Sequence, residues 1–170
     1  MSRKRLTAAG LIIVTAISLS GCALGFDAAT NKQKPSGNGV SINAGDLEIR
    51  NATLVTDPAT PGTAIVIVTI YNKSDNPDSL VGMKGPNGMS ATTTGDLSIP
   101  AHEAVQIGYN SPNEIVLTGT ATDLTPGHFV KIGFIFQITP AVDASLLVNE
   151  NNGIYEGVTV SAPAPSPSAS

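Results

Sequence analysis

The side chains able to do chemistry in this chain are few. Its 170 residues hold one cysteine, Cys22, two histidines, His102 and His128, and, beyond the initiator, two methionines, Met83 and Met89. Thioether sulfur and imidazole nitrogen form the donor set that selects monovalent copper when several converge on one point. The spacing here does not compel convergence, because Met83 and Met89 straddle a turn while His102 follows Ile99-Pro100-Ala101 and His128 follows Pro126-Gly127. Packing is the simpler expectation for the methionines and solvated turns for the histidines, so no metal site is assigned. Nucleophile chemistry is as thin: the chain has no Gly-x-Ser-x-Gly elbow, no His-Glu-x-x-His pair and no glycine-rich phosphate loop. Those patterns place a serine on a sharp turn, two imidazoles on one helix face, or backbone amides around a phosphate. No catalytic residue is expected, and the chain reads as a non-enzyme without a cofactor.

Cys22 carries the sharper signal. Arg3, Lys4 and Arg5 precede an apolar stretch from Leu6 to Ile17, and Leu19, Ser20 and Gly21 then lead into Cys22. A basic start, a short apolar stretch and a small-residue flank are the parts of a secretory signal, and the stretch falls short of the roughly 20 apolar residues of a membrane-spanning helix. Leu19-Ser20-Gly21-Cys22 resembles the bacterial lipobox, in which Leu19, Ser20 and Gly21 are read by the signal peptidase and Cys22 is acylated to become the first mature residue. Two or more acyl chains hold a protein on a bilayer where one would exchange, since each buried CH₂ contributes about 0.8 kcal/mol. The expected organisation is a signal peptide over 1–21, a lipidated flexible tether over 22–43, a folded domain over 44–160 and a Pro/Ala/Ser tail over 161–170. The expected location is the extracytoplasmic face of the cell membrane, with the membrane engaged through the lipid and a cell-envelope component of unknown identity as partner.

Charge narrows the partners further. The formal net charge is −4, and cleavage before Cys22 removes three basic side chains and no acidic one. An acidic chain lacks the concentrated Lys/Arg surface that phosphate backbones require, which excludes nucleic acid. With 41% hydrophobic residues and one stretch of folded length, a single monomeric domain is expected.

The elements that must position these side chains are strands. The chain carries 17 Gly and 12 Pro but no Trp, and no segment sustains a helical period, a pattern of short strands between frequent turns. Ala64 to Tyr71 is β-branched and almost continuously apolar, as in a central strand covered on both faces. Phe129 to Ile138 alternates, with Val130, Ile132, Phe134, Phe136 and Ile138 on one face and Lys131, Gly133 and Gln137 on the other, as in a half-buried strand. Ile67 and Phe134 are expected to fill one core. Leu47/Ile49, Leu80-Val81, Val105/Ile107/Tyr109, Ile115 to Leu117, Leu146 to Val148 and Val158 to Val160 bring the total to about eight strands. The expected class is all-β, an antiparallel β-sandwich.

Several of these segments, taken together, are familiar. Ile70-Tyr71-Asn72-Lys73-Ser74, then Pro77 to Gly82, Gly85-Pro86, Leu97 to Ala101, and Leu124-Thr125-Pro126-Gly127 ahead of the Phe129 strand resemble the periplasmic copper chaperone PCu(A)C family. With the lipobox and the Pro/Ala/Ser tail, the pattern is similar to its LpqE-type branch of actinobacterial lipoproteins. The resemblance implies a cupredoxin-like Greek-key sandwich and, for the family, Cu(I) held by two His and two Met. Here Glu114 stands where the family has a His and Val116 where it has a Met, while Met89 to Gly95 holds no His. The resemblance thus implies a copper-chaperone scaffold with its ligands lost, acting as a binding or interaction module. The alternative is copper handling through Met83, Met89, His102 or His128.

Overall fold

The computed structural model describes residues 39–160. Leu19, Ser20, Gly21 and Cys22, most of the expected tether and the 161–170 tail lie outside the described residues.

Ten strands follow in chain order: β1 (Val40–Ala44), β2 (Leu47–Thr56), β3 (Thr63–Asn72), β4 (Asp78–Lys84), β5 (Ser90–Thr94), β6 (Ser98–Ile99), β7 (Ala104–Ile107), β8 (Glu114–Thr118), β9 (Phe129–Phe136) and β10 (Val142–Glu150). They form one sheet in the order β5-β8-β3-β2-β10-β9-β4-β6, with β1 on β2 and β7 on β3. Every pairing is antiparallel except β2 with β10, which run parallel through Leu54↔Val148. The sheet curls so that the inner faces of β2, β3 and β8 meet those of β4, β9 and β10, the two layers of a sandwich.

Alternation decides what fills it. From β9, Val130, Ile132, Phe134 and Phe136 point into the core, as their period-2 spacing predicts, and Phe134 is 0% exposed. From β3, Ala64, Val66, Val68 and Ile70 do the same. The intervening Ile65 and Ile67 belong to a second, smaller cluster on the outer face with Val55, Val116, Val158 and Val160. This bears out β3 as a strand covered on both faces in that half, and it corrects the placement of Ile67 and Phe134 in one core. Neighbours at odd separation along a strand face opposite ways, so Ile67 cannot share the side that Val66 and Val68 occupy.

Three other expectations change, and one strand joins those expected. The chain joins the sheet at Val40, ahead of the boundary drawn at residue 44, because Val40 and Ile42 pack against the core from β1. The threonine-rich stretch Ser90–Thr94, too polar to read as a strand, is β5, held by full pairing to β8. Val158 to Val160 joins no ladder: both valines are buried, yet the segment lies on the sheet as a strap. Ile138 is 68% exposed and not on the buried face. The buried Asp78 carboxylate accepts the backbone N–H groups of Ile138 and Thr139 at 3.0 and 2.9 Å, which turns the chain away two residues past β9.

Candidate functional site

The positions that the family resemblance assigns to ligands do come together. β5 and β8 are antiparallel neighbours with Thr94 opposite Glu114, Thr92 opposite Val116 and Ser90 opposite Thr118. Directly opposed residues share a face with Cβ atoms about 4.5–5.5 Å apart. Glu114 and Val116, two residues apart, therefore share the outer face of β8, and the stretch after Gly85-Pro86 lies beside them as β5. The three opposed pairs bring four hydroxyls, a carboxylate and an isopropyl group, none of them the soft donors that hold Cu(I).

The outer face is also partly closed. Val116 is 7% exposed and packs with Ile65, Val158 and Val160. A short 3₁₀ turn, Gly153–Tyr155, leads into this strap. Gly157 follows with φ of +91°, a backbone conformation in which any other residue would be strained. The Tyr155 carbonyl accepts the Val158 N–H at 3.1 Å, and the Thr60 hydroxyl reaches the Val160 carbonyl at 3.4 Å. Between strap and sheet lies a groove of about 250 Å³ lined by Glu114, Ile65, Tyr109, Ser111 and Val158.

The four alternative donors are dispersed. Met83 stands opposite Phe134 and Met89 folds back on Gly85; both are buried in the main core. His102 is exposed with φ of +59°, its Nε2 2.8 Å from Asp75 Oδ1. His128 is exposed just before β9, its carbonyl accepting the Val148 N–H. His102 follows Ile99, which pairs with Asp78, and Asp78 binds the backbone just past the far end of β9. The two imidazoles thus sit at opposite ends of an eight-residue strand, about 26 Å long. Among the described residues no group of three or more His, Cys, Asp or Glu could hold a metal ion.

The residues that carry the family resemblance turn out to be structural. Asn72 is buried; its amide donates to the carbonyls of Asn76 at 2.8 Å and Ile99 at 3.1 Å, while its oxygen accepts the Ser74 N–H at 2.9 Å. Asp78 opens β4 as the clamp described above, and it accepts the Ser79 N–H at 2.7 Å as well. Burial pushes the Asp78 carboxyl upward, but the side chain of Thr139 and the N–H groups of Ser79, Thr139 and Ile138 together outweigh it and hold the acid below its ordinary range. Sequence reasoning missed both residues as fold determinants. The available signal was their position: a polar residue at each side of the Asp75-Asn76-Pro77 turn.

The curled sheet and its strand order define a β-sandwich, and its fold is similar to that of PCuAC domains. Solved structures bear this out: the apo PCuAC domain from PmoF1 matches with a TM-score of 0.59 at 19% identity, over 65% of this chain and 99% of that one. The copper-bound PCuAC domain from PmoF2 matches with a TM-score of 0.58 at 16% identity, over 65% of this chain and 98% of that one. In sequence, the chain is similar to "Putative lipoprotein LpqE" of Mycobacterium tuberculosis and of Mycobacterium bovis, 33% identical over 103 residues. That match covers 57% of this chain, and the chain spans little more than half, 56%, of those curated relatives. No family model matches the chain.

Proposed function

We propose that the protein is a cell-envelope lipoprotein, acylated at Cys22 and held on the extracytoplasmic face of the membrane, whose sandwich is a non-enzymatic binding or interaction module on a copper-chaperone scaffold. The observation that carries this reading is the β5–β8 outer face. β5 places Thr92 and Thr94 opposite Val116 and Glu114, two positions where the resemblance implies copper ligands, and Val116 is packed beneath the strap. Neither hydroxyl nor isopropyl competes for Cu(I), and a single half-buried carboxylate is a hard donor better suited to other cations. The similarity to a protein named as a lipoprotein supports the anchor, as does the signal-like stretch ending at Cys22.

Two measurements test the two halves. Titration of the mature protein with Cu(I) against a competing chelator should leave the metal with the chelator; stoichiometric transfer to the protein would restore the copper-handling alternative. In the expressing organism, Cys22→Ala should move the protein from the membrane fraction to soluble or unprocessed forms. A processed Cys22→Ala protein that stays on the membrane would remove the anchor from the proposal.

A further inference from the structure

The outside of the sandwich is covered unevenly. The strap shields the apolar outward residues of β2, β3 and β8, whereas among the described residues β4 and β9 carry no such cover. On β9 the outward residues are Phe129, Lys131, Gly133 and Ile135, alternating with the buried set. Gly82 and Lys84 of β4 stand opposite Ile135 and Gly133, with the exposed Val81 in the bulge beside them. Of the five large apolar side chains left exposed among the described residues, three lie here: Phe129 at 66%, Val81 at 57% and Ile135 at 38%.

Charge concentrates on the same face. The described residues hold four cations, of which Arg50 and Lys73 both pair with Glu48 elsewhere. The other two, Lys84 and Lys131, are here, with Lys131 2.9 Å from Asp143 of β10. Asp143 is the one carboxylate among the outward residues of β4, β9 and β10, in a domain whose described residues carry twelve acids. Between the lysines, Gly133 leaves an open groove of about 370 Å³ floored by Pro86, Ile135 and Ala141.

We propose that this face of β4, β9 and β10 docks on an anionic bilayer surface, with Phe129, Val81 and Ile135 entering the headgroup boundary and Lys84 and Lys131 meeting lipid phosphates. The proposal rests on the reading of Cys22 as a lipid anchor. An added strand is not the fitting occupant, because β9 is flanked by β4 and β10 and its ladder is already paired. The apolar tips are also spread along about 20 Å of strand rather than gathered into one pocket, which suits a planar partner. Lysine stems can lie along such a surface with their ammonium groups in the headgroup layer. The stretch from Cys22 to Gly39 spans at most about 60 Å, so an anchored domain never leaves the neighbourhood of the bilayer. Acidic groups elsewhere on the domain are screened beyond about 8 Å at physiological salt.

The test uses the mature acylated protein reconstituted with vesicles, where acylation of Cys22 leaves an engineered thiol as the single dye site. Val81→Cys bearing an environment-sensitive fluorophore should shift to the blue on vesicles of equal parts phosphatidylglycerol and phosphatidylcholine, and far less on phosphatidylcholine alone. The same dye at Ile154→Cys, on the strap side, should not shift. Adding Lys84→Gln and Lys131→Gln should lower the docked-to-free ratio about fivefold per lysine. Equal shifts at both dye positions, indifference to anionic lipid, or a signal that follows protein density, as a second copy would produce, overturns the proposal. Flotation of the same vesicles reports the anchor separately. Co-flotation without a shift at position 81 keeps the anchor and overturns the docking, and failure to float without a shift overturns both.

Discussion

Thr92 of β5 and Val116 of β8 are directly opposed across an antiparallel ladder, so a threonine stands opposite the valine that occupies a position where the family resemblance implies a Met. Neither side chain is a soft donor. The variant Thr92→His/Glu114→His/Val116→Met should therefore gain Cu(I) binding in a chelator competition that the natural sequence loses. Failure of the folded triple variant to compete would mean that these positions do not form the scaffold's metal locus.

The two clusters predict a ranking of core substitutions. Phe134→Ala should cost about 3–5 kcal/mol through lost transfer energy and a residual cavity, because Phe134 is wholly buried between Met83 and Val142. Lys131→Ala should change stability by less than about 0.5 kcal/mol, since its partner Asp143 is also exposed and such pairs contribute little. Urea unfolding of both variants checks the register. A larger loss for Lys131→Ala would exchange the two faces of β9.

The strap makes its own measurable contribution. Val158→Ala should destabilise by about 1–2 kcal/mol by removing two buried methyl groups from the cluster around Val55, Ile65 and Val116. Ile154→Ala, at 75% exposure on the preceding turn, should be neutral within about 0.5 kcal/mol. Equal midpoints for Val158→Ala and the parent in denaturant would show the strap to be unseated in solution.

Asp78 gives the fold an acid limit. Its carboxyl is held below the ordinary range in the folded state, so the stability it provides is complete above the unfolded-state value of about 4 and declines as pH falls through the lower folded value. Asp78→Asn should cost about 1.5–3 kcal/mol at neutral pH, since the amide presents N–H groups to backbone donors that the carboxylate accepts. The penalty should shrink as pH falls below the unfolded-state value toward the lower folded one. Unfolding curves at neutral and acid pH test this, and a penalty that grows on acidification would reverse the assignment.

Asn72 should behave as a buried polar hub. Asn72→Ala removes a donor from the carbonyls of Asn76 and Ile99 and leaves the Ser74 N–H without its acceptor, at a cost of about 1–3 kcal/mol. Copper titration of that variant should be unchanged from the parent. A selective effect on metal binding with stability intact would give Asn72 a role in a site instead of a turn.

What the sequence determined by itself was whatever local periodicity and local chemistry decide. The alternation from Val130 to Phe136 set the face of β9, the apolar run from Ala64 set β3 as a strand with both sides covered, and the Pro- and Gly-rich turns separated the elements. The absence of His from Met89 to Gly95, and of His and Met at the positions of Glu114 and Val116, was equally legible, because identity needs no structure. What only the tertiary structure decided was anything that depends on a partner distant in the chain. Ser90–Thr94 has no apolar pattern of its own and becomes a strand because β8 supplies its hydrogen bonds. Ile138 would have continued the buried set had Asp78, sixty residues earlier, not drawn its N–H into a turn. Val158 and Val160 are buried without belonging to any ladder, since the outer face of β3 and β8 offers them apolar surface and no free backbone groups. A side chain's face follows from its neighbours in sequence; what covers that face is settled by long-range packing, to which spacing alone is blind.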